Sequence, residues 1–66
     1  MNYIDRMKEE LADLSNKLEK AEKALSILEL NQIEHDYLLI QTSYMANYQA
    51  ILKERIKYAE KKAGKL

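Results

Sequence analysis

The sequence predicts an all-α fold, an antiparallel two-helix hairpin that assembles with copies of itself into a homo-oligomeric helical bundle. Three observations carry this expectation. Good helix formers dominate, valine and proline are absent, and the only glycine is Gly64, so strand and turn punctuation is missing. A heptad stripe runs through the first half of the chain and dissolves in the second. Finally, 66 residues without a cysteine make a core that rarely supplies more than about 3–5 kcal/mol, and neither disulfides nor thiolate metal sites can reinforce it. One histidine excludes a histidine-rich metal site as well, which leaves association with other subunits.

Helix one is expected over about 3–28. Ile4, Met7, Leu11, Leu14, Leu18, Ala21, Leu25 and Leu28 follow one another at alternating spacings of three and four, the seam of a helix that packs along one neighbour. Asp5, Lys8, Glu9, Asn16, Lys20 and their neighbours form the wet side. Asp13–Lys17 and Glu19–Lys23 are acid-to-base pairs four residues apart, each worth a few tenths of a kcal/mol.

A turn is expected at about 29–32. Continued past Leu28, the same phase meets Gln32, His35, Leu39, Thr42, Ala46, Gln49, Lys53 and Ile56, in which the apolar stripe dissolves. Asn31 followed by Glu34 has the N-x-x-E pattern of a helix start. With neither glycine nor proline there, one uninterrupted helix is the alternative.

Helix two is expected over about 32–61, followed by a loose basic tail, 62–66. Tyr37, Ile40, Tyr44, Ile51 and Tyr58 share one track, and Leu38, Met45, Tyr48, Leu52 and Ile56 lie beside it. This arc is wider than the seam of helix one, and a wide apolar face needs two or more neighbours. A lone hairpin would leave part of it bare, which soluble monomers avoid. Symmetric assembly is the expected solution.

Charge narrows the function. Residues 1–36 carry nine acids and five bases, a net −4, and residues 37–66 carry two acids and six bases, a net +4. That asymmetry suits an acidic helix lying antiparallel to a basic one. The overall balance lacks the basic excess of proteins that grip nucleic-acid backbones, so a polymeric nucleic acid is not the expected partner. No apolar stretch of signal length opens the chain and none approaches a membrane span. A cytoplasmic protein with no membrane partner is expected.

Catalysis is not expected, nor is a metal or cofactor. His35, in Glu34-His35-Asp36, has no second ligand at helical spacing and reads as a solvated imidazole. The serines lack an activating His–Asp pattern, and a single glycine cannot build a phosphate loop. The five tyrosines are the only aromatic residues. By position Tyr37, Tyr44 and Tyr48 are packing residues whose hydroxyls need partners where buried. Tyr3 precedes the seam and either caps the end of the hairpin or stacks on a planar ligand, with Arg6 one turn further along. Arg55 interrupts an apolar face, so it either reaches to solvent or meets an anion at an interface. Lys53, Lys57, Lys61, Lys62 and Lys65 read as solvated bases.

The order Tyr3-x-x-Arg6, Glu10, Leu14, Lys17, Leu18, then Leu38-Leu39-x-Gln41-x-x-x-Met45-x-x-Tyr48-x-x-x-Leu52-x-x-Arg55-Ile56 resembles small phage proteins. They are the anti-CBASS and Thoeris-antagonist helical hairpins, with relatives encoded by crAss-like phages. The resemblance covers about 3–58. Members of that group assemble as dimers of higher oligomers, commonly hexamers, and sequester cyclic nucleotide second messengers of bacterial immunity. It implies that this chain binds a cyclic di- or trinucleotide, or a cyclic ADP-ribose type of ligand, without cleaving it. Tyr3, Arg6 and Lys17 match the aromatic and basic positions of the first helix, and Arg55 matches the arginine of the second. With Tyr48 they are the ligand-binding set that the resemblance implies. Tyr3 and Lys17 are fourteen residues apart, about 21 Å along a helix, so a pocket using both is expected to be shared between subunits. The competing expectation is a coiled-coil structural or adaptor module without a small ligand. A nucleic-acid-binding hairpin ranks third.

Overall fold

The structure, a computed structural model, describes residues 2–64. It consists of two helices, α1 (Tyr3–Ile27) and α2 (Gln32–Lys62), folded back on each other into a rod of 49 × 17 × 15 Å. No strand occurs among the described residues. Lys65, part of the expected basic tail, lies outside them; Lys62 is the last residue of α2.

Both helices begin on an asparagine. The Asn2 side chain accepts from the Asp5 N–H at 2.8 Å, and Asp5 sits in the first turn, where its charge opposes the positive end of the helix dipole. Asn31 accepts from the Glu34 N–H at 2.9 Å, while Glu34 Oε1 accepts from the Asn31 N–H at 3.2 Å. This capping box ends the question of one continuous helix: two donors that a broken helix would orphan are satisfied locally. Leu28 leaves α1 in extended backbone with φ −88° and ψ 142°, its N–H still donating to the Ala24 carbonyl. The connection therefore turns without any left-handed residue, which is why glycine is not required there. At the far end Gly64 does adopt a positive φ of 77°, and its N–H donates to the Lys61 carbonyl at 3.0 Å, a helix stop that suits a residue without Cβ.

The seam of α1 faces α2 as its spacing requires. Met7, Leu14 and Leu18 are buried, and Ile4, Leu11, Ala21 and Leu25 are half-buried between them. Leu28, at the cap, is exposed. From α2, Leu52 is wholly buried and Ile56 nearly so; both pack with Met7 and Leu14, flanked by Ile4, Leu11, Met45 and Ala59.

The two apolar tracks of α2 part company. Leu38, Met45, Leu52 and Ile56 turn toward α1, whereas Tyr37, Ile40, Tyr44, Ile51 and Tyr58 are exposed. The seam that meets α1 also includes polar positions. Thr42 is buried, with its hydroxyl donating to the Leu39 carbonyl at 2.8 Å. Gln49 is half-buried and donates from Nε2 to Ser15 Oγ at 2.9 Å. With these two included, His35, Leu38, Thr42, Met45, Gln49, Leu52, Ile56 and Ala59 recur at alternating spacings of three and four, a complete heptad seam. His35 opens it half-buried, rather than standing free in solvent, 3.9 Å from Asp36.

The charge asymmetry does not pair the helices. Among the described residues the ion pair between them is Lys8–Glu60 at 3.0 Å, with the base on the acidic helix and the acid on the basic one. Of the two expected pairs within α1, Glu19–Lys23 closes at 3.7 Å.

Candidate functional site

On α1 a second stripe runs one residue ahead of the apolar seam: Tyr3, Arg6, Glu10, Asp13 and Lys17, again spaced by three and four. On a helix that spacing keeps them on one flank, along the boundary between the packed face and water. Tyr48 and Arg55, seven residues and hence two turns apart, form the facing edge of α2. Two direct contacts bind the two edges. Arg55 Nη2 donates to Tyr3 Oη at 2.8 Å, and the Tyr48 hydroxyl donates to Glu10 Oε2. Tyr3 is thus held against α2, so its role as an end clasp of the hairpin is realised, while 54% of its surface stays exposed.

The edges enclose a run of open clefts. One of about 260 Å³ is lined by Tyr3, Arg6, Met7, Glu10 and Arg55. Its neighbour, of about 510 Å³, is lined by Arg6, Glu9, Glu10, Asp13, Leu14, Lys17 and Tyr48. Arg6 and Glu10 line both, so the five residues singled out from the sequence lie along one groove. A third cleft, about 500 Å³, opens on the other side of the Tyr3–Arg55 bond, against Ile51, Glu54, Tyr58, Ala59 and Lys62. Tyr3 and Lys17 share no cleft, in keeping with their separation along α1. Arg6, by contrast, reaches both groups.

Electrostatically the groove alternates in sign. Acceptance of its proton by the Glu10 carboxylate raises Tyr48 above the ordinary tyrosine value, with desolvation and the Glu10 charge adding to this and Arg55 opposing it. Donation to Tyr3 raises Arg55 further above its already high value. Both groups are therefore held as donors, a neutral phenol and a guanidinium. Arg55 spends one N–H on Tyr3, and a guanidinium carries five, so it retains donors for an anion. Arg6 and Lys17 add two more cations.

Three carboxylates, Glu9, Glu10 and Asp13, line the larger cleft among these cations. Reasoning from basic and aromatic residue types passed over them. The signal that marks two of them is the interleaved spacing of Glu10 and Asp13 with Arg6 and Lys17. No group of three or more His, Asp or Glu side chains suited to a metal occurs among the described residues, and no helix is long and apolar enough to cross a membrane.

Comparison with known proteins places this geometry in a family. A family model described as Sequestin matches residues 1–58, nearly the stretch over which the sequence resembles phage anti-CBASS hairpins. No curated protein matches the chain, and no solved structure does. The family's name indicates sequestration of a ligand, a binding role rather than a catalytic one. Because the match takes in most of the chain, including the seams, the groove and the Tyr3–Arg55 clasp, this protein belongs to the sequestin family.

Proposed function

We propose that this protein is a phage-encoded sponge that binds cyclic nucleotide immune second messengers without cleaving them, and so blocks bacterial anti-phage signalling in the host cytoplasm. The observation that carries the reading is the groove in which Arg6 sits between the Tyr3–Arg55 clasp and the Tyr48–Lys17 cleft. A cyclic di- or trinucleotide, or a cyclic ADP-ribose type of ligand, offers phosphates to Arg6, Lys17 and Arg55 and base faces to Tyr3 and Tyr48. Glu9, Glu10 and Asp13 suit the same ligands, since carboxylates accept from the N–H groups of bases and from ribose hydroxyls. The larger cleft, about 510 Å³, is of the size of small-molecule sites, and the smaller one, about 260 Å³, adjoins it through Arg6 and Glu10. The groove offers no activated nucleophile, which accords with binding alone. Assembly into a homo-oligomer, dimer-based and up to a hexamer, belongs to the same reading.

Titration calorimetry of the purified protein against a panel of cyclic di- and trinucleotides and cyclic ADP-ribose isomers tests it. Heat release, with intact ligand recovered after denaturation, is expected for at least one member. Arg55→Ala should weaken that binding by about tenfold or more, the value of a hydrogen bond to a charged group. Failure of every member to bind sinks the proposal. The exposed track Tyr37, Ile40, Tyr44, Ile51 and Tyr58 favours a second reading, an adaptor whose α2 face receives a partner protein. A self-associated protein with that face covered counts against the adaptor.

A further inference from the structure

The exposed track of α2 is longer and more regular than its five residues suggest. Ile33 is also exposed, and from it Tyr37, Ile40, Tyr44, Ile51 and Tyr58 keep heptad register, with exposures between 52% and 72%. The two positions that complete the pattern are Asn47 and Glu54. The result is a second seam, from 33 to 58, about 38 Å long. It lies two residues out of phase with the seam that meets α1, which at 100° per residue puts it on nearly the opposite side of α2. One helix therefore carries two opposed coiled-coil faces, and only one of them is covered.

We infer that the uncovered face is an isologous interface, in which α2 of one copy packs antiparallel against α2 of a second copy, each core residue i of the seam facing the partner's core residue 91 − i. The pattern is self-complementary in that register and in that direction. Core positions of an antiparallel coiled coil pair a with d, and here Ile40 meets the partner's Ile51, while Ile33 meets the partner's Tyr58. Tyr37 falls against the partner's Glu54, giving the phenol a carboxylate to donate to, and Tyr44 falls against the partner's Asn47. Parallel pairing would instead set Glu54 against the partner's Glu54 inside the seam.

The flanking charges agree independently. Beside the seam Asp36 faces the partner's Lys57, and Glu34 faces the partner's Arg55. Twofold symmetry repeats each pair, so four opposite-charge contacts frame the interface. The acids Glu34 and Asp36 near the start of α2 and the bases Arg55 and Lys57 near its end are thus matched between copies when α2 runs antiparallel to itself.

This interface completes the groove. Tyr48 and Arg55 occupy the edge of α2 that lies between its two seams, so the same edge faces both α1 and the partner's helix. The partner's Gln41 comes beside Tyr48 and the partner's Glu34 beside Arg55, adding a third wall to clefts that α1 and α2 leave open. The pairing rests on the α2 face alone; only its part in ligand binding rests on the sponge reading.

Single-cysteine variants test the geometry cleanly because the chain has no cysteine. Ile40→Cys and Ile51→Cys are purified separately, mixed in equal amounts, exchanged under reducing conditions and then oxidised without ligand. The expected product is the mixed 40–51 disulfide, with little of either homodisulfide, since each residue and its own copy lie about eleven residues, roughly 16 Å, apart. Predominant 40–40 or 51–51 links, or a monomer by native mass measurement, overturn the inference. Charge reversal gives a second arm with the core untouched. Lys57→Glu should raise the dimer dissociation constant about tenfold, as two attractive surface contacts become repulsive. Adding Asp36→Lys should restore it to within about threefold. Failure of the double variant to recover while helicity is intact refutes the register. Neither arm uses nucleotide, so a cross-linked dimer that binds no nucleotide would refute the sponge and leave the interface standing.

Discussion

Leu52 and Ile51, adjacent on α2, belong to different seams, and truncating each to alanine separates the two. Leu52 has no exposed surface and packs with Met7, Leu14 and Ile56. Leu52→Ala removes its contacts and leaves a cavity, at a cost of about 2–5 kcal/mol. A hairpin of this size holds only about 3–5 kcal/mol, so the substitution consumes most or all of it. The folding equilibrium constant of an isolated hairpin would fall by roughly 30-fold or more. Ile51 is 60% exposed, makes no core contact with α1, and alanine is the better helix former. Ile51→Ala is therefore close to neutral for one hairpin and harmful only where the second face is covered. Circular dichroism melts at several protein concentrations distinguish the two. Leu52→Ala should lower the midpoint at every concentration. Ile51→Ala should lower it increasingly as concentration rises, since a melt coupled to association depends on subunit concentration. A Leu52→Ala variant that melts with the wild type would refute the packing of α1 on α2.

Three further outcomes are expected. In an absorbance titration of the five tyrosines, the last to ionise should include Tyr48, which the Glu10 carboxylate holds above the ordinary value of 10.0; Tyr48→Phe should remove that phase and Glu10→Gln should move it down. A raised folded value means the Tyr48–Glu10 contact is at full strength below the unfolded tyrosine value and is lost as pH climbs through the folded one, so stability should fall on the alkaline side. Asn31→Ala abolishes the capping box and should cost about 0.5–2 kcal/mol, read as a lower melting midpoint with nucleotide binding by the folded protein unchanged. Tyr3→Phe keeps the ring and loses the bond from Arg55, so nucleotide affinity should drop less than in Tyr3→Ala; equal losses would mean the hydroxyl, not the ring, matters.

How much of this was legible beforehand varied with the kind of signal. The α1 seam was read position by position, because every member from Ile4 to Leu25 is apolar and hydrophobic spacing is the strongest periodic signal. The start of α2 was legible from Asn31 and Glu34, whose side chains make the capping contacts their spacing permits. The α2 seam was read only in part. Thr42 and Gln49 hide in it because their polar groups are satisfied locally, by the Leu39 carbonyl and by Ser15, and apolarity alone does not register a satisfied polar residue. Tyr3 and Arg55 were both singled out, but their mutual bond crosses 52 residues and no spacing rule on one helix reports it. The carboxylates of the groove were missed for a different reason: with acids spread along all of α1, Glu10 and Asp13 are set apart in the sequence only by their interleaving with Arg6 and Lys17, and the Tyr48 contact of Glu10 crosses between helices.

The place of the groove follows from how few layers a hairpin has. A helix with one seam has one dry side, and charges on its flanks are bathed in water, where attraction to a phosphate is weak and screened. A helix with two opposed seams has, along each edge between them, a narrow strip that is flanked by packed side chains on both sides once both seams are covered. Tyr48 and Arg55 stand on such a strip, and α1 brings Tyr3, Arg6, Glu10 and Lys17 to it. A donor held there by a neighbour, as Arg55 is by Tyr3, is fixed in place beside the packed seam. Covering the second seam with another α2 narrows the strip further, and it does so without adding a residue to the chain. The wide apolar face and the groove are then two consequences of one pattern, the double heptad of α2.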